Sequence, residues 1–307
     1  MPGDKTEEQR VRWIAVDWGT SNLRVWAMDG ATVVGTRQSD QGMGGLQPDG
    51  FEPALYALID EWLPEGGRMP VVICGMAGAR TGWCEAPYRA VPCPPLDARN
   101  AAAPPVRDPR LDVRILPGLS QTSPPDVMRG EETQIAGFLA LDPGYDGVLC
   151  LPGTHSKWVR IHAGQVRHFQ TFMTGEMFAL MSTRSVLRLG IGQAEPLASA
   201  FTDAADTALR DPQTLMRDLF ALRAASLLND APGSETLGRL SGLLIGSEIA
   251  AARPLWHDSP VCIVGAPAIS ALYADVLTRQ GARTRQLDGS QLVLSGLIAA
   301  HRQMQEP

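Results

Sequence analysis

Little in this chain favours a nucleic acid, a membrane or a disulfide scaffold. Lysine and arginine number 27 against 33 aspartates and glutamates, a formal charge of −6, so the basic face of a nucleic-acid binder is missing. An anionic ligand must instead be captured by individual arginines and lysines. The five cysteines (Cys74, Cys84, Cys93, Cys150, Cys262) are odd in number, widely spaced and free of any Cys-x-x-Cys pair. Disulfide-framework and zinc spacings are therefore absent, and a reducing compartment is the natural reading. No uncharged apolar run approaches the ~20 residues that span a bilayer. The first twelve residues are polar, read as a frayed tail and carry no apolar leader segment, so a cytoplasmic location is expected. The Walker order ending in Gly-Lys-Ser/Thr is missing, as is a Gly-x-Ser-x-Gly elbow; P-loop and serine-hydrolase chemistry are excluded.

What is present is a pattern written twice. Trp13-Ile-Ala-Val-Asp17-Trp-Gly19-Thr20-Ser21-Asn22-Leu-Arg24 continues to Gly30, and Gly147-Val-Leu-Cys-Leu151-Pro-Gly153-Thr154-His155-Ser156-Lys157 continues to Gly164. Each reads as an apolar strand, a tight Gly-Thr turn, a second strand and a closing turn. Such a turn aims backbone N–H groups and small hydroxyls at one spot, which suits a phosphate. Either turn alone could be an ordinary hairpin, since turns favour these residues anyway; the repetition favours a triphosphate gripped from both sides. Gly19, Thr20, Ser21 and Asn22 are the first candidate phosphate contacts; Gly153, Thr154, His155 and Lys157 are the second. His155 could equally satisfy the backbone, and Lys157 could be a solvated strand residue. Only the first copy has an acid, Asp17, where the second has Leu151. Asp17 is therefore expected to contact Mg²⁺ through water, because that ion keeps several waters and takes few protein ligands. An ATP-dependent phosphotransferase is the leading idea.

At 307 residues the chain is long enough for two cores. Strands are expected at 13–18, 23–28, 32–37 and 71–74, with a helix through Leu55, Leu58, Ile59 and Trp62. The Pro- and Ala-rich 91–125 stretch reads as irregular around one strand, Val113–Leu116. A helix should begin near Arg129 and break at Pro143-Gly144. Helices at 175–189, 196–209, 212–230 and 234–253 follow, then a strand at 261–264, Gly265-Ala266-Pro267 opening a helix, a strand at 283–287 and a last helix from Ser290. Strands and hairpin followed by alternating helix and strand, repeated once, imply an α/β protein of two related domains, 1–138 and 139–307, with a central cleft.

Acid–base candidates come from Met128-Arg129-Gly130-Glu131-Glu132-Thr133-Gln134. Acids are common at helix starts, where the dipole favours them; placement just before the second turn lifts Glu131 and Glu132 above that reading. The residues alone leave both open. Glu176 in Met173-Thr-Gly-Glu reads first as an N-terminal capping residue. The small-residue helix containing Gly242 and Gly246 suggests either close packing or a nucleotide wall, and Gly265-Ala266 permits close approach of a planar group. Arg80 and Arg129 are candidates for a substrate carboxylate, because a guanidinium fork matches it bidentately.

The Asp-x-Gly-Thr turn, its second copy and the strand-Gly-Ala element resemble the phosphate and adenosine motifs of the sugar kinase, Hsp70 and actin superfamily. More closely, Trp18–Arg24, Gly75-Met-Ala-Gly78 with Gly82-Trp83 and Ala86-Pro87-Tyr88, Met128–Gln134, Leu151–His155 with Lys157-Trp158, Met173–Glu176 and Leu240–Gly246 resemble the 2-dehydro-3-deoxygalactonokinase family, from about residue 13 to 300. The resemblance implies two ribonuclease H-like (actin-like ATPase) domains flanking a nucleotide cleft, and transfer of the ATP γ-phosphate to the 6-hydroxyl of 2-dehydro-3-deoxy-D-galactonate, a step of galactonate breakdown. It matches Gly130-Glu131 to the family's Gly-Asp base and so favours Glu131. It implies ATP and Mg²⁺ as cofactors, adenosine at Gly242, Gly246, Gly265 and Ala266, and substrate near Arg80, Trp83, Arg129 and Glu176. Ala79 departs from the small hydroxyl residue expected after Gly-Met-x-Gly. A sugar acid is the expected partner, with no nucleic acid and no membrane; a homodimer is admissible. Competing readings are an exopolyphosphatase-like hydrolase, which needs no sugar, and an ATP-switched binding module, which needs a peptide-binding appendage.

Overall fold

The computed structural model describes residues 10–306; most of the expected frayed tail lies outside them. Strands β1 (Trp13–Trp18), β2 (Leu23–Asp29) and β3 (Thr32–Ser39) form a meander, followed by α1 (Phe51–Ile59) and β4 (Met69–Gly75). Then come β5 (Tyr88–Ala90), β6 (Leu111–Ile115), β7 (Gly118–Thr122), β8 (Pro125–Met128) and α2 (Glu131–Leu141). A second meander, β9 (Gly147–Leu151), β10 (Ser156–His162) and β11 (Gln165–Phe172), leads into α3 (Thr174–Thr183), α4 (Arg188–Ile191), α5 (Ala198–Arg210) and α6 (Leu215–Leu228). The chain closes with α7 (Gly233–Ala251), α8 (Arg253–Trp256), β12 (Val261–Gly265), α9 (Pro267–Arg279), β13 (Thr284–Asp288) and α10 (Gly289–Gln305).

Two five-stranded sheets share one topology, β3-β2-β1-β4-β6 and β11-β10-β9-β12-β13. In each, the antiparallel meander supplies three strands and two parallel strands follow. The apolar strands β1 and β9 sit at the centre, where both faces are covered and alternation is not required. The chain divides into two compact units. One runs to Gly144 and takes in 164–166 and the chain from Ser290; the other comprises Tyr145–Ala163 and Arg167–Gly289. In the first, Trp18, Phe51 and Trp83 form an aromatic cluster, and His301 of α10 stacks on Trp13 at 4.1 Å.

Three departures from the sequence reading have local causes. The 91–125 stretch carries more than one strand: β7 pairs with β8 and, in parallel, with β5, making a small third sheet. The parallel partner is three residues long and far away in sequence, so no local pattern announces it. The expected 175–189 helix breaks into α3 and α4. Ser182, Thr183 and Ser185 bond back to the carbonyls of Phe178, Ala179 and Met181, competing with the helical ladder. The helix expected from Arg129 begins at Glu131, because Gly130 adopts φ 105°.

Helix α7 lies backbone to backbone against α5. Gly238, Gly242 and Gly246, each four residues apart, face the carbonyls of Leu197, Phe201 and Ala205, and a Cβ at any of them would overlap those oxygens. Alanine is the better helix former by about 1 kcal/mol, yet overpacking costs about 1–3 kcal/mol. We therefore expect Gly242→Ala to lower unfolding free energy in urea with helix content unchanged. A net gain would show that the two helices part cheaply.

Candidate functional site

In the first unit, three strands converge on Asp17. Its neighbours in register are Arg24 on β2 and Cys74 on β4. Arg24 Nη2 donates to Asp17 Oδ2 at 2.8 Å, and Cys74 Sγ lies 3.9 Å from Oδ1. Burial raises the Asp17 pKa against the opposing pull of Arg24. The turn follows immediately: Gly19 N–H donates to Asn22 O at 2.9 Å, leaving Thr20, Ser21 and Asn22 exposed. A loop overlooked in the sequence clamps it. Met43 and Gly44 N–H donate to Gly19 O and Thr20 O at 3.0 and 2.9 Å, and Gly42 lies so close to Ser21 that any Cβ would overlap it. The run Gly42-Met-Gly-Gly45 was the available signal.

The N-terminus of α2 meets the same strand ends. A Cβ on Gly130 would lie 3.4 Å from Gly75 Cα, at the end of β4. Here the two glutamates part company. Glu132 is fully buried; its Oε2 accepts from Gly130 N–H at 2.6 Å and its Oε1 from Thr133 Oγ1 at 3.0 Å. It satisfies a donor at the helix start, as an acid in the first turn can. Burial, with the charge of Glu131 adding, pushes the Glu132 carboxyl up to about 7. Glu131 is only half-buried, and its Oε2 accepts from Arg129 N–H at 3.1 Å. Burial raises the pKa of Cys74, with the charges of Asp17 and Glu132 adding.

Arg129 is 8% exposed. Its guanidinium donates Nη2–H to Ala86 O at 2.7 Å and lies 4.3 Å over the Tyr88 ring, while Nε and Nη1 have no acceptor among the described residues. Unfilled buried donors are costly and mark a place to look for a ligand. Arg80 differs: its side chain is 86% exposed and 3.4 Å from Glu85. Trp83, expected at the substrate, is buried against Trp18 and Phe51.

The second unit builds its turn on the same plan. Gly153, Thr154 and His155 are exposed between β9 and β10. Its clamp is the start of α3: Glu176 N–H donates to Thr154 O at 2.9 Å, and Gly175 lies against Gly153 O. Glu176, read first as a capping residue, also bonds His155 Nε2 at 2.6 Å. Leu151 pairs with Lys157 as Asp17 pairs with Arg24, so the ladder cation is retained and the acid opposite is not. Lys157 is buried, and its Nζ donates to His155 O at 3.4 Å. Beneath lies a network missed in the sequence: Glu248 accepts from Trp158 Nε1 and Tyr273 OH, both at 2.7 Å, and Tyr273 meets Ser156 at 3.1 Å. Burial raises the Glu248 pKa.

Beside Gly153 lies a cavity of about 190 Å³, walled by Phe178, Leu244, Ile245, Ile269 and Leu272, with Ser241 among its few polar groups. An apolar slot next to a donor-rich turn suits a nucleotide's base and phosphate respectively. Gly265 and Ala266 stand at the β12–α9 junction, and Pro152 touches Gly265. Gly242 and Gly246 face α5, so α7 meets the cavity through Ser241, Leu244 and Ile245. Among the described residues no group of three or more His, Cys, Asp or Glu could form an all-protein metal cage. That is compatible with Mg²⁺, which takes one or two carboxylates and substrate phosphates.

Two sheets of one order, each with a clamped Gly-Thr turn after its central strand, define a mixed α/β protein resembling the actin-like ATPase fold. The chain belongs to the 2-keto-3-deoxy-galactonokinase family, whose profile matches residues 17–300. A probable 2-dehydro-3-deoxygalactonokinase of Rhizobium meliloti (strain 1021) is 40% identical, over 94% of this chain and 96% of its own. The 2-dehydro-3-deoxygalactonokinase of Escherichia coli (strain K12) is 33% identical, over 93% and 96%. The crystal structure of a candidate 2-dehydro-3-deoxygalactonokinase from Sinorhizobium meliloti superposes with a TM-score of 0.88 at 39% identity, covering 95% of this chain and 99% of that one. The (R)-2-hydroxyglutaryl-CoA dehydratase component A of Acidaminococcus fermentans shares the fold alone, at 10% identity and a TM-score of 0.52 over 96% and 99%. No helix among the described residues is long and apolar enough to cross a membrane.

The buried glutamate has a measurable signature. A carboxyl held near 7 when folded, against ~4.3 when unfolded, favours the folded state fully below the unfolded value. That stability is lost as pH rises through 7. Each pKa unit is about 1.4 kcal/mol, so the fall amounts to about 4 kcal/mol at most. Glu132→Gln keeps an acceptor for Gly130 N–H, and we expect it to flatten the decline in urea stability between acidic and mildly alkaline buffer. An unchanged decline would place the titration elsewhere.

Proposed function

We propose that this chain transfers the γ-phosphoryl group of ATP to the 6-hydroxyl of 2-dehydro-3-deoxy-D-galactonate, acting in the cytoplasm, where its five free cysteines stay reduced. The observation that carries the reading is the gathering of Asp17, a donor-rich turn and Glu131 at the carboxyl ends of β1 and β4. Phosphoryl transfer leaves a protein little covalent work, so positioning and charge neutralisation carry most of the catalysis.

Glu131 is the base. Glu132 is fully buried and bound to Gly130 N–H, whereas Glu131 is half-buried and within reach of solvent, which supports Glu131 as the acceptor of the hydroxyl proton. The exposed N–H groups of Thr20, Ser21 and Asn22 and the Thr20 and Ser21 hydroxyls bind phosphate oxygens, with Gly19 shaping the turn, and Gly153, Thr154 and His155 do the same in the second unit, with Lys157 adding positive charge. The cavity walled by Leu244, Ile245 and Ile269 takes the adenine, next to Gly265 and Ala266. Asp17 would hold Mg²⁺ through water; when bound, the ion neutralises charge on the phosphate oxygens. Arg129, with two unfilled donors, anchors the sugar-acid carboxylate, and exposed Arg80 is a secondary contact.

An ADP-release assay across 2-keto-3-deoxy acids and plain hexoses tests the whole reading: turnover should require the sugar acid, and sugar-independent phosphate release would replace it with a hydrolase. Glu131→Gln should lower kcat by ~10²–10⁴ with ATP binding kept; near-normal turnover would remove Glu131 from the base role. Arg129→Lys keeps the charge but loses the fork. Its KM for the sugar acid should rise about 10–100-fold, the value of a charge-assisted hydrogen bond or two, with KM for ATP unmoved.

A further inference from the structure

The carboxylate of Glu248 takes no part in the chemistry above, yet strands and helices from across the second unit meet on it. It stands on α7 and is buried. Its Oε1 accepts from Trp158 Nε1 on β10 and its Oε2 from Tyr273 OH on α9, each at 2.7 Å. The hydroxyls of Thr174, which opens α3, and of Ser156, which opens β10, lie within hydrogen-bonding reach. These partners are neutral. A buried carboxylate held by neutral donors costs more than apolar residues of the same volume, so stability alone does not account for it. The partners share a place instead. Thr174 and Tyr273 line the apolar cavity, and Glu248 stands behind them, outside its lining. Ser156 follows His155 directly at the exit of the exposed turn. Thr174 precedes Gly175 and Glu176, which brace that turn at Gly153 O and Thr154 O.

We propose that Glu248 is a positioning residue for the nucleotide. It fixes the exit of the second turn through Ser156 and the brace through Thr174, and it ties both to the wall of the cavity through Tyr273. The inference rests on the reading of turn and cavity as the ATP site. A carboxylate suits the task because it only accepts and can take donors from several directions at once. An amide does not. Trp158 Nε1–H can only donate and so claims the amide oxygen, leaving the NH₂ group against hydroxyls that the carboxylate received. Donors act best on a phosphate when already in place. A loosened turn should therefore cost nucleotide affinity while sparing the sugar-acid contacts, which lie in the first unit.

The test is calorimetric titration of the full chain with ADP and Mg²⁺, well below the melting midpoint, with KM for the sugar acid measured alongside. Glu248→Gln should raise the ADP dissociation constant about 10-fold or more, the value of a hydrogen bond to a charged group. KM for the sugar acid should not move. Thr174→Val keeps the shape but loses the hydroxyl and should act likewise, whereas Thr174→Ser should restore wild-type affinity. Because Thr174 also lines the cavity, the double variant decides whether its hydroxyl acts through Glu248. Adding Thr174→Val to Glu248→Gln should weaken binding by no more than a further factor of about 2. If Glu248→Gln does not fold, Tyr273→Phe takes its place in the cycle. Wild-type affinity in the single variants overturns the proposal, as does full additivity, which would mean that Thr174 meets the nucleotide directly. A parallel rise in KM for the sugar acid also overturns it, as the mark of general loosening. A wild type that binds no ADP overturns the reading of the site, and this inference with it.

Discussion

The carboxylate of Glu132 closing on Gly130 N–H at 2.6 Å is the contact on which the rest of the first unit's site depends. It caps α2 from within, holds the left-handed residue that turns the chain into the helix, and draws that turn onto the end of β4. A buried acid is an expensive cap, since water would solvate it better. The cost is met partly by two hydrogen bonds and partly by a pKa near 7, which lets the group stay neutral over much of the ordinary range. The neighbouring Glu131 stays half-buried, its carboxylate accepting from Arg129 N–H. Two adjacent acids thus differ in environment: one is enclosed, the other reaches solvent.

The second theme is a plan used twice with one change. Both units put an exposed turn after a central apolar strand and brace it with glycine-bearing backbone, Gly42–Gly44 in one and Gly175 in the other. The bracing matters because an unsupported turn wanders, and donors aimed at a phosphate act best when already in place. The change lies at one ladder position. Asp17 faces Arg24 and balances it, whereas Leu151 faces Lys157 and supplies no charge. Each unit therefore presents a different electrostatic surface from nearly the same backbone.

Legibility in the sequence followed the range of the interaction. The meanders, the central strands and the helices that became α5, α6, α7 and α10 announced themselves through apolar periodicity and turn residues, which act over a few positions. The third sheet did not, because β5 finds β7 across nearly thirty residues. Nor did the clamps, which join a turn to backbone some twenty residues away. The glycines of α7 illustrate a further limit. Their spacing marked a close approach, but a period of four cannot say whether a helix or a ligand approaches; in the fold it is α5.

By itself, then, the sequence determined the two-unit α/β plan, the paired Gly-Thr turns and the short stretch in which the acids lie, because each is written in local patterns of polarity and backbone freedom. Only the tertiary structure buried Glu132 and left Glu131 half-exposed, separated buried Arg129 from exposed Arg80, and brought Glu248 beneath the second turn. Those distinctions are matters of burial and of partners distant along the chain. Two residues of identical type and adjacent number carry no difference until the fold surrounds one with protein and leaves the other within reach of solvent.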